Sequence, residues 1–172
     1  MALLSPVIAY VLQGLNVGIA GNVGDSFALQ VANESHDFYV LELSSFQLDG
    51  IDNFKPHIAI LLNITQDHLD RYDNKMENYI QSKMRITMNQ TSEDFLIYCS
   101  DDKNITINLK TQAQCLPFSI SENQEQGAYL NNDEIEININ QESFNMNIQQ
   151  LALQGKHNIY NSMAAAISAR IL

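Results

Sequence analysis

Four short runs of apolar residues recur through the first two-thirds of the chain, and within each run the apolar residues are largely consecutive. Consecutive apolar residues are typical of strands that helices cover on both faces. Segments with helical spacing precede the first run and separate later ones. This order predicts an α/β fold with a mostly parallel, doubly wound sheet that contains all four strands. The predicted strands span residues 17–20, 38–43, 58–62 and 95–98.

Helices are predicted from apolar spacing together with the residues that commonly flank helix ends. Asp25 is expected to cap the second helix. Asn74 is the expected N-cap of the third helix, and Glu77 completes a capping-box pair with it. Gly155 introduces the last helix, which is rich in alanine. The predicted helices span residues 3–12, 26–32, 75–88 and 158–172.

The last third of the chain has a different pattern. Short segments alternate apolar and polar residues and are separated by turns rich in Asn and Gln, which predicts antiparallel strands. These strands span residues 128–130, 134–139 and 143–148. We therefore expect a small antiparallel sheet beside the parallel one. A length of 172 residues suits a single compact domain over residues 1–172.

Composition and charge exclude several classes of protein. Hydrophobic residues make up 45% and charged residues 17%, which excludes a disordered acidic tail. The net charge of −11 disfavours nucleic acid as a partner, because binding to phosphates requires lysine and arginine. No apolar run approaches ~20 residues, so no membrane insertion is expected. Cys99 and Cys115 form no CxxC motif, which favours two unreactive thiols in a reduced, cytoplasmic protein.

Polar side chains lie where the predicted strands end, at the edge where open α/β sheets bind ligands. Asn22 follows the first strand, and His68 follows the third, next to Asp67. Glu42 lies inside the apolar second strand, where an ionised carboxylate is costly unless it is paired or binds a metal. A salt bridge to a distant arginine and a metal or phosphate site are both open for Glu42. For His68, a surface position, a core position with satisfied hydrogen bonds and a ligand role are all open.

A lysine interrupts the apolar face of the third predicted helix. At 100° per residue, Lys83 lies near the middle of this face. The apolar residues of the face are Met76, Tyr79, Ile80 and Met84. The polar residues expected to face away are Asn78, Ser82, Arg85 and Asn89. An inward lysine either extends its amine to the surface or has a pKa lowered by burial, which leaves a neutral, nucleophilic amine.

The sequence contains neither a GxGxxG fingerprint nor a P-loop. No lysine or arginine precedes Lys55, so a phosphate bound by the first third of the chain would need backbone N–H groups or a metal. Residues 155–161 read Gly-Lys-His-Asn-Ile-Tyr-Asn, and their spacing alone favours Asn158 as a simple helix cap.

Four segments taken together resemble the Mur ligases of peptidoglycan synthesis. They are residues 41–48 (LELSSFQL), residues 62–72 (LNITQDHLDRY), Lys83 and residues 155–161. The form of residues 41–48 is typical of the ligases that add D-glutamate. The sister Mur ligases and the folylpolyglutamate synthases share the segments at residues 63–70 and 157–161 but differ around Glu42. The resemblance covers residues 3–172 and implies the P-loop NTPase-like central, ATP-binding domain of a three-domain enzyme.

The resemblance also implies what lies outside this chain. A P-loop is expected immediately before Ala2, and a UDP-binding N-terminal domain and a C-terminal domain are expected on either side. The isolated chain is therefore expected to be inactive. A sister Mur ligase or a folylpolyglutamate synthase-like ligase is an alternative that the C-terminal domain would discriminate. A non-catalytic α/β module that only binds a ligand is another.

The implied reaction uses ATP and Mg²⁺ to join D-glutamate to UDP-N-acetylmuramoyl-L-alanine through an acyl phosphate. By motif position, Glu42 binds the Mg²⁺ that bridges the β- and γ-phosphates, and His68 binds a second Mg²⁺. Lys83 matches a carbamylated lysine that also holds the second ion, so Lys83 and His68 are the catalytic candidates. The implied substrate-binding residues are Asn22, Ser44 and Gln47, and the implied nucleotide-binding residues are Asn158 and Asn161.

Overall fold

The computed structural model describes residues 4–22, 24–151 and 155–172, so the predicted helix start at residue 3 lies outside the described residues. The helices are α1 (Leu4–Val11), α2 (Phe27–Asn33), α3 (Ser45–Asp49), α4 (Met76–Met84), α5 (Lys103–Thr106) and α6 (Lys156–Ile171). The strands are β1 (Val17–Gly21), β2 (Phe38–Glu42), β3 (Ile58–Leu61), β4 (Phe95–Cys99), β5 (Gln114–Ser119), β6 (Gly127–Asn131), β7 (Glu134–Ile139) and β8 (Glu142–Asn147). Short 3₁₀ turns span Leu69–Tyr72, Arg85–Thr87 and Ile148–Gln150.

The strands of the described residues are divided between two sheets. β1 and β2 form a parallel pair in which Gly21 lies opposite Glu42. The larger sheet has the order β3-β4-β5-β6-β7-β8. Its first four strands run parallel, and β7 and β8 continue it in antiparallel fashion. The predicted α/β class with a mostly parallel sheet is confirmed.

The prediction that the four early strands share one sheet is wrong. Among the described strands, β1 and β2 pair only with each other, and β3 pairs only with β4. Side chains join the two sheets instead, because Ile8, Leu12 and Ala165 form a buried cluster that Val40 of β2 and Ile60 of β3 both contact. A run of apolar residues indicates that a strand is covered, but strand pairing depends on contacts distant in sequence.

The antiparallel strands extend the large sheet and do not form a sheet of their own. The connection is β5, which the sequence did not predict and which contains Pro117. Proline weakens a strand signal because it lacks a backbone donor. Phe118 of β5 pairs with Ala128 of β6. At Gly127, φ is +108° and a β-carbon would overlap the carbonyl oxygen of Pro117, so glycine allows β6 to approach β5.

The third predicted helix is shorter than its apolar pattern suggests. The N-cap of α4 is Lys75 instead of Asn74, because Asn74 has a φ of +54° and lies in a left-handed turn before the helix. α4 ends at Met84, and a 3₁₀ turn continues the chain to Thr87. The change from 3.6 to 3.0 residues per turn alters which side chains face the sheet.

Two other helices begin at different residues than predicted. Gly155 is the N-cap of α6, so Asn158 lies in its first turn and is not the cap. Ser26, and not Asp25, is the N-cap of α2. The short helices α3 and α5 were not predicted, because four or five residues do not establish an apolar period.

The main core lies against the six-stranded sheet, where α6 packs. Its fully buried side chains include Leu96, Phe118, Ile135, Met163 and Ile167. A long helix with this many buried residues holds its own N-terminus in a fixed position relative to the sheet. The candidate site residues near the N-terminus of α6, Asn158 and Asn161, are therefore held in place by the core.

Two predictions from composition can be compared with the structure. Cys99 is buried and Cys115 is exposed, and both are free thiols. Burial raises the pKa of the Cys99 thiol, which keeps it protonated and unreactive. Within the described ranges, no helix is both long enough and apolar enough to cross a bilayer.

Candidate functional site

Glu42 is the last residue of β2 and is half-buried. The buried Ser5 of α1 donates its hydroxyl to Glu42 Oε2 at 2.6 Å. In the part of the chain that the structure describes, no cationic side chain lies within 4.0 Å of the Glu42 carboxylate. The salt-bridge interpretation is therefore not supported. Ser5 orients the carboxylate without neutralising its charge.

The end of β1 passes close to Glu42. The backbone N–H of Asn22 donates to the carbonyl oxygen of Glu42 at 2.7 Å. The preceding Gly21 has a φ of +106°, and a β-carbon there would overlap the same carbonyl oxygen. A glycine at this position therefore lets the turn approach β2. It places the exposed Asn22 beside Glu42, at the edge where the sequence predicts substrate binding.

Ser44 and Gln47 have a structural role that the sequence did not reveal. Ser44 is the N-cap of α3, and its hydroxyl accepts a hydrogen bond from the backbone N–H of Gln47 at 3.3 Å. Gln47 Oε1 in turn accepts hydrogen bonds from the backbone N–H of Ser44 at 2.8 Å and from its hydroxyl at 2.9 Å. These bonds satisfy donors at the start of α3. They also hold Ser44 and Gln47, the two predicted substrate-binding residues, in fixed positions shortly after Glu42.

His68 lies in the segment that follows β3. Its backbone has a φ of +47°, a left-handed conformation that is uncommon for residues other than glycine. The imidazole is exposed, and its Nε2 lies 3.6 Å from Asp67 Oδ1. The ring centre of His68 lies 5.5 Å from that of Phe46 on α3. This ring contact joins the segment after β3 to the segment after β2.

Lys83 is half-buried on α4, with its Nζ 5.8 Å from the ring centre of Tyr79. Burial lowers the pKa of the Lys83 amine below its ordinary value of 10.5. The charges of Asp67 and Glu42 act in the opposite direction but do not cancel the effect of burial. The structure therefore brings Lys83 within electrostatic reach of both carboxylates.

Asp67 belongs to this group of charges, although the predicted site residues did not include it. Its position directly before His68 was the available signal. The charges of Asp67 and Glu42 both act on the Lys83 amine, and burial shifts this amine towards its neutral form. A half-buried amine of this kind is a candidate for covalent modification.

The far side of α4 differs from the prediction. Ser82 is buried and donates to the carbonyl oxygen of Ser45 at 3.0 Å. Arg85 donates to the carbonyl oxygens of Leu48 and Ile51, both at 2.8 Å. Both residues were expected to face away from the core. They face α3, an element whose packing against α4 could not be predicted from the spacing on α4 alone.

The predictions that Asn78 and Asn89 face away from the core have opposite outcomes. Asn78 is exposed, as predicted. Asn89 is half-buried and donates to the carbonyl oxygens of Asp52 at 2.6 Å and Phe54 at 2.9 Å, so the prediction that it faces away is wrong. Asn89 follows the 3₁₀ turn that ends at Thr87, where the helical phase no longer applies.

The N-terminus of α6 lies near the carboxyl ends of β4 and β5. Tyr160 donates to Asp101 Oδ2 at 2.8 Å, and Ser119 at the end of β5 donates to Asp101 Oδ1 at 2.6 Å. Burial opposes ionisation of Asp101, but these bonds and one from the Ile120 backbone lower its pKa. The Asp101 carboxylate thus links α6 to the carboxyl end of β5 through hydrogen bonds. His68 follows β3 at the same edge of the large sheet.

Asn161 has an unusual environment next to this anchor. Its side chain is 3% exposed, and its Nδ2 has no hydrogen-bond partner within the described residues. A buried amide donor without an acceptor is unfavourable unless a bound group supplies the acceptor. Asn158 is half-buried one turn earlier on α6. The chemistry of Asn161 fits an acceptor atom such as those of a nucleotide.

The donor set near Lys83 suits a hard cation. Glu42 and Asp67 offer carboxylate oxygens, which Mg²⁺ prefers, and His68 adds an imidazole nitrogen. No group of three or more metal-binding side chains is preassembled in residues 4–22, 24–151 and 155–172. Mg²⁺ retains several waters, so two protein ligands can suffice. The carboxylate oxygens therefore suit Mg²⁺ by their chemistry, although the described residues do not bring three such side chains together.

The sequence can be compared with known families and proteins. The profile of the Mur ligase middle domain matches residues 19–169. The UDP-N-acetylmuramoylalanine–D-glutamate ligase of Christiangramia forsetii is 59% identical over 162 residues, and that of Bacteroides fragilis is 55% identical over 161. Each alignment covers 92% of this chain and 36% of the relative, so the chain spans about a third of the length of these relatives.

Solved structures share the fold. A UDP-N-acetylmuramate:L-alanyl-γ-D-glutamyl-meso-diaminopimelate ligase from Neisseria meningitides has a TM-score of 0.69 at 19% identity, covering 97% of this chain and 57% of that one. The MurF ligase of Thermotoga maritima in complex with ADP has a TM-score of 0.63 at 15% identity, covering 98% and 48%. These identities establish likeness of fold alone. Because the middle-domain profile spans most of the sequence, the chain belongs to the Mur ligase family.

Proposed function

We propose that this chain forms the metal- and nucleotide-binding part of a cytoplasmic, ATP-dependent ligase that joins D-glutamate to UDP-N-acetylmuramoyl-L-alanine in peptidoglycan synthesis. The observation that carries the proposal is the position of Lys83, a half-buried amine with a lowered pKa near Glu42 and Asp67. The names of relatives at 59% and 55% identity support D-glutamate as the amino acid.

The first proposed step is phosphoryl transfer. The alanine carboxylate of the substrate takes the γ-phosphoryl group of ATP, which gives an acyl phosphate and ADP. Both reactants are anions and repel each other, and Mg²⁺ supplies the neutralising charge when bound. Glu42 would hold one ion and His68 would hold a second, and the ions would supply positive charge beside the phosphates. The amine of D-glutamate then attacks the acyl carbon, and phosphate leaves.

Lys83 would act as a carbamate. Its neutral amine adds to CO₂, a nitrogen–carbon bond forms and one proton is released. Burial favours this step because it lowers the pKa of the amine and raises its unprotonated fraction. The product replaces a cation by an anion beside Glu42 and Asp67. Three negative groups together attract a divalent ion, so the modification and metal binding support each other.

The remaining candidates would bind the substrates. Asn161, with its buried and unpartnered Nδ2, and Asn158 on the same helix would contact the nucleotide. The muramoyl-alanine part of the substrate would be bound by Asn22, Ser44 and Gln47. The last two already fix the start of α3, so they would present the rigid first turn of that helix to the substrate.

The test is an assay of ADP release by the full-length protein that contains this chain. We expect release to require both UDP-N-acetylmuramoyl-L-alanine and D-glutamate, and to be abolished by Lys83→Ala. Lys75→Ala is the matched control, because Lys75 is an exposed lysine at the start of the same helix and should retain activity.

Other outcomes would identify the alternatives. Release that requires a different amino acid, or a folate acceptor, would favour a sister Mur ligase or a folylpolyglutamate synthase-like enzyme. Absence of release with every acceptor would contradict the ligase proposal and favour a non-catalytic binding module.

A further inference from the structure

An exposed aromatic ring links the two segments that carry the proposed metal ligands. Phe46 lies in the first turn of α3 and is 37% exposed. Its ring centre lies 5.5 Å from that of His68 and 4.9 Å from the guanidinium carbon of Arg71. It also stacks on Tyr72 at 6.1 Å with an interplanar angle of 5°. One ring thus contacts three residues of the segment that follows β3.

His68 has few other contacts that could orient its imidazole. Within the described chain, the only polar contact of its ring is with Asp67 at 3.6 Å, which is too long for a good hydrogen bond. The ring is mostly exposed, and the backbone holds a left-handed conformation that needs support from its surroundings. The aromatic contact with Phe46 is therefore the main restraint on the direction of the imidazole.

Phe46 lies on α3, the short helix that follows the strand carrying Glu42. It lies between Ser44 and Gln47, whose mutual hydrogen bonds cap α3. α3 follows directly on β2, which ends at Glu42. The Phe46 ring therefore lies four residues after Glu42 along the chain and contacts the His68 ring.

We propose that Phe46 is a positioning residue: its ring, with Arg71 and Tyr72, fixes the His68 imidazole relative to Glu42 for metal binding. The metal-binding part of this statement rests on the proposed function. Phe46 touches no reacting atom in this account and acts only through His68. Partners that orient a metal-binding histidine typically change metal affinity by ~10–100-fold when they are removed.

The test uses NMR of this chain in two steps. The first step measures the ring-proton shifts of His68 without metal, assigned by comparison with His68→Gln. An adjacent aromatic ring displaces these shifts by its ring current. We expect Phe46→Leu to move them towards those of a free histidine and Phe46→Tyr to retain them. Phe38→Leu is the matched control, because Phe38 is 36% exposed but begins β2 at the opposite end from Glu42.

The second step titrates Mn²⁺, which broadens the signals of nuclei near its binding site. We expect the apparent Kd measured at His68 to rise ~10-fold or more in Phe46→Leu, and to stay within about twofold of wild type in Phe46→Tyr and Phe38→Leu. Should Phe46→Leu fail to fold, Phe46→Met, which keeps most of the volume but lacks the ring, takes its place with the same expectation.

The outcomes separate this inference from the proposed function. Unchanged His68 shifts in Phe46→Leu or Phe46→Met would overturn the inference, as would changed shifts with unchanged Mn²⁺ affinity. Equal effects in Phe38→Leu would also overturn it, since they would indicate a general loss of packing. If wild type binds no Mn²⁺ near His68, the metal site of the proposed function fails and the metal-binding part of this inference fails with it, while the shifts still report whether the Phe46 and His68 rings are in contact.

Discussion

A buried carboxylate at the amino end of the large sheet provides a quantitative test of the fold. Asp94 is 2% exposed and precedes β4. Its Oδ2 accepts hydrogen bonds from the backbone N–H of Thr91 at 2.8 Å and from the Thr91 hydroxyl at 3.0 Å. Lys55 Nζ lies 3.0 Å from the same oxygen, and His57 Nδ1 lies 3.2 Å from Oδ1. One side chain thus joins the segments that precede β3 and β4.

The contribution of Asp94 to the free energy of unfolding depends on which of its partners are exposed to solvent. Lys55 and His57 are 41% and 59% exposed, so solvent screens their attraction and each contributes little. The two bonds from Thr91 to a buried charge dominate, at roughly 1.5 kcal/mol each. Asp94→Ala should therefore lower the free energy of unfolding by about 3 kcal/mol. For a chain of this length that corresponds to a fall in Tm of about 6–12 °C.

The destabilisation caused by Asp94→Ala should depend on pH. Burial opposes ionisation of Asp94, but the hydrogen bonds from Thr91, Lys55 and His57 outweigh it and lower its pKa in the folded state. A carboxyl with a lowered folded-state pKa stabilises the protein above its unfolded value, near pH ~4, and this contribution is lost as pH falls through the folded-state pKa. The difference between wild type and Asp94→Ala should thus be constant near neutral pH and shrink below about pH 4.

Urea unfolding, followed by circular dichroism at several pH values, measures this difference. Glu93→Ala is the control, since its exposed side chain should change the free energy by less than about 0.5 kcal/mol. A loss below about 1 kcal/mol for Asp94→Ala at pH 7, or a difference that grows on acidification, would show that these hydrogen bonds do not stabilise the fold as described.

Three further predictions concern the candidate site. Gly21→Ala should destabilise the chain by about 2 kcal/mol or more in urea unfolding, because its φ is +106° and a β-carbon would overlap the Glu42 carbonyl oxygen; Gly14→Ala, where a β-carbon meets open space, is the control. Ser5→Ala should cost about 1–2 kcal/mol in the same assay, since it removes the hydrogen bond to the Glu42 carboxylate, and an unchanged midpoint would contradict that bond. In the full-length protein, activity lost in Lys83→Ala should be partly restored by acetate but not by bicarbonate, measured as ADP release; rescue by bicarbonate would contradict a carbamate on this lysine.

The fold was predictable where local patterns are decisive. The strands that end at Glu42 and precede His68 were predicted because each is a continuous apolar run next to polar residues. The division into two sheets was not predictable, since it depends on which strands pair across long sequence distances. β5 was missed because Pro117 interrupts its strand signal.

The candidate site was predictable in outline but not in detail. The helical position of Lys83 led to its half-buried site near Glu42. The capping bonds between Ser44 and Gln47 were hidden, because α3 is too short to be recognised from sequence. The site roles of these residues stay predictions. Asp67 was noticed only as a neighbour of His68, since the sequence does not reveal that its charge reaches Lys83.

The charges of Glu42 and Asp67 both act on the Lys83 amine, so the three side chains form one electrostatic group. NMR of the ¹³Cε–¹⁵Nζ pair of Lys83 over a pH titration measures the pKa of its amine directly. We expect a pKa below the ordinary 10.5 in wild type, and a still lower value in Asp67→Asn and in Glu42→Gln, because each variant removes a negative charge that favours the ammonium form. A pKa of 10.5 or above, or one that neither variant lowers, would contradict the claim.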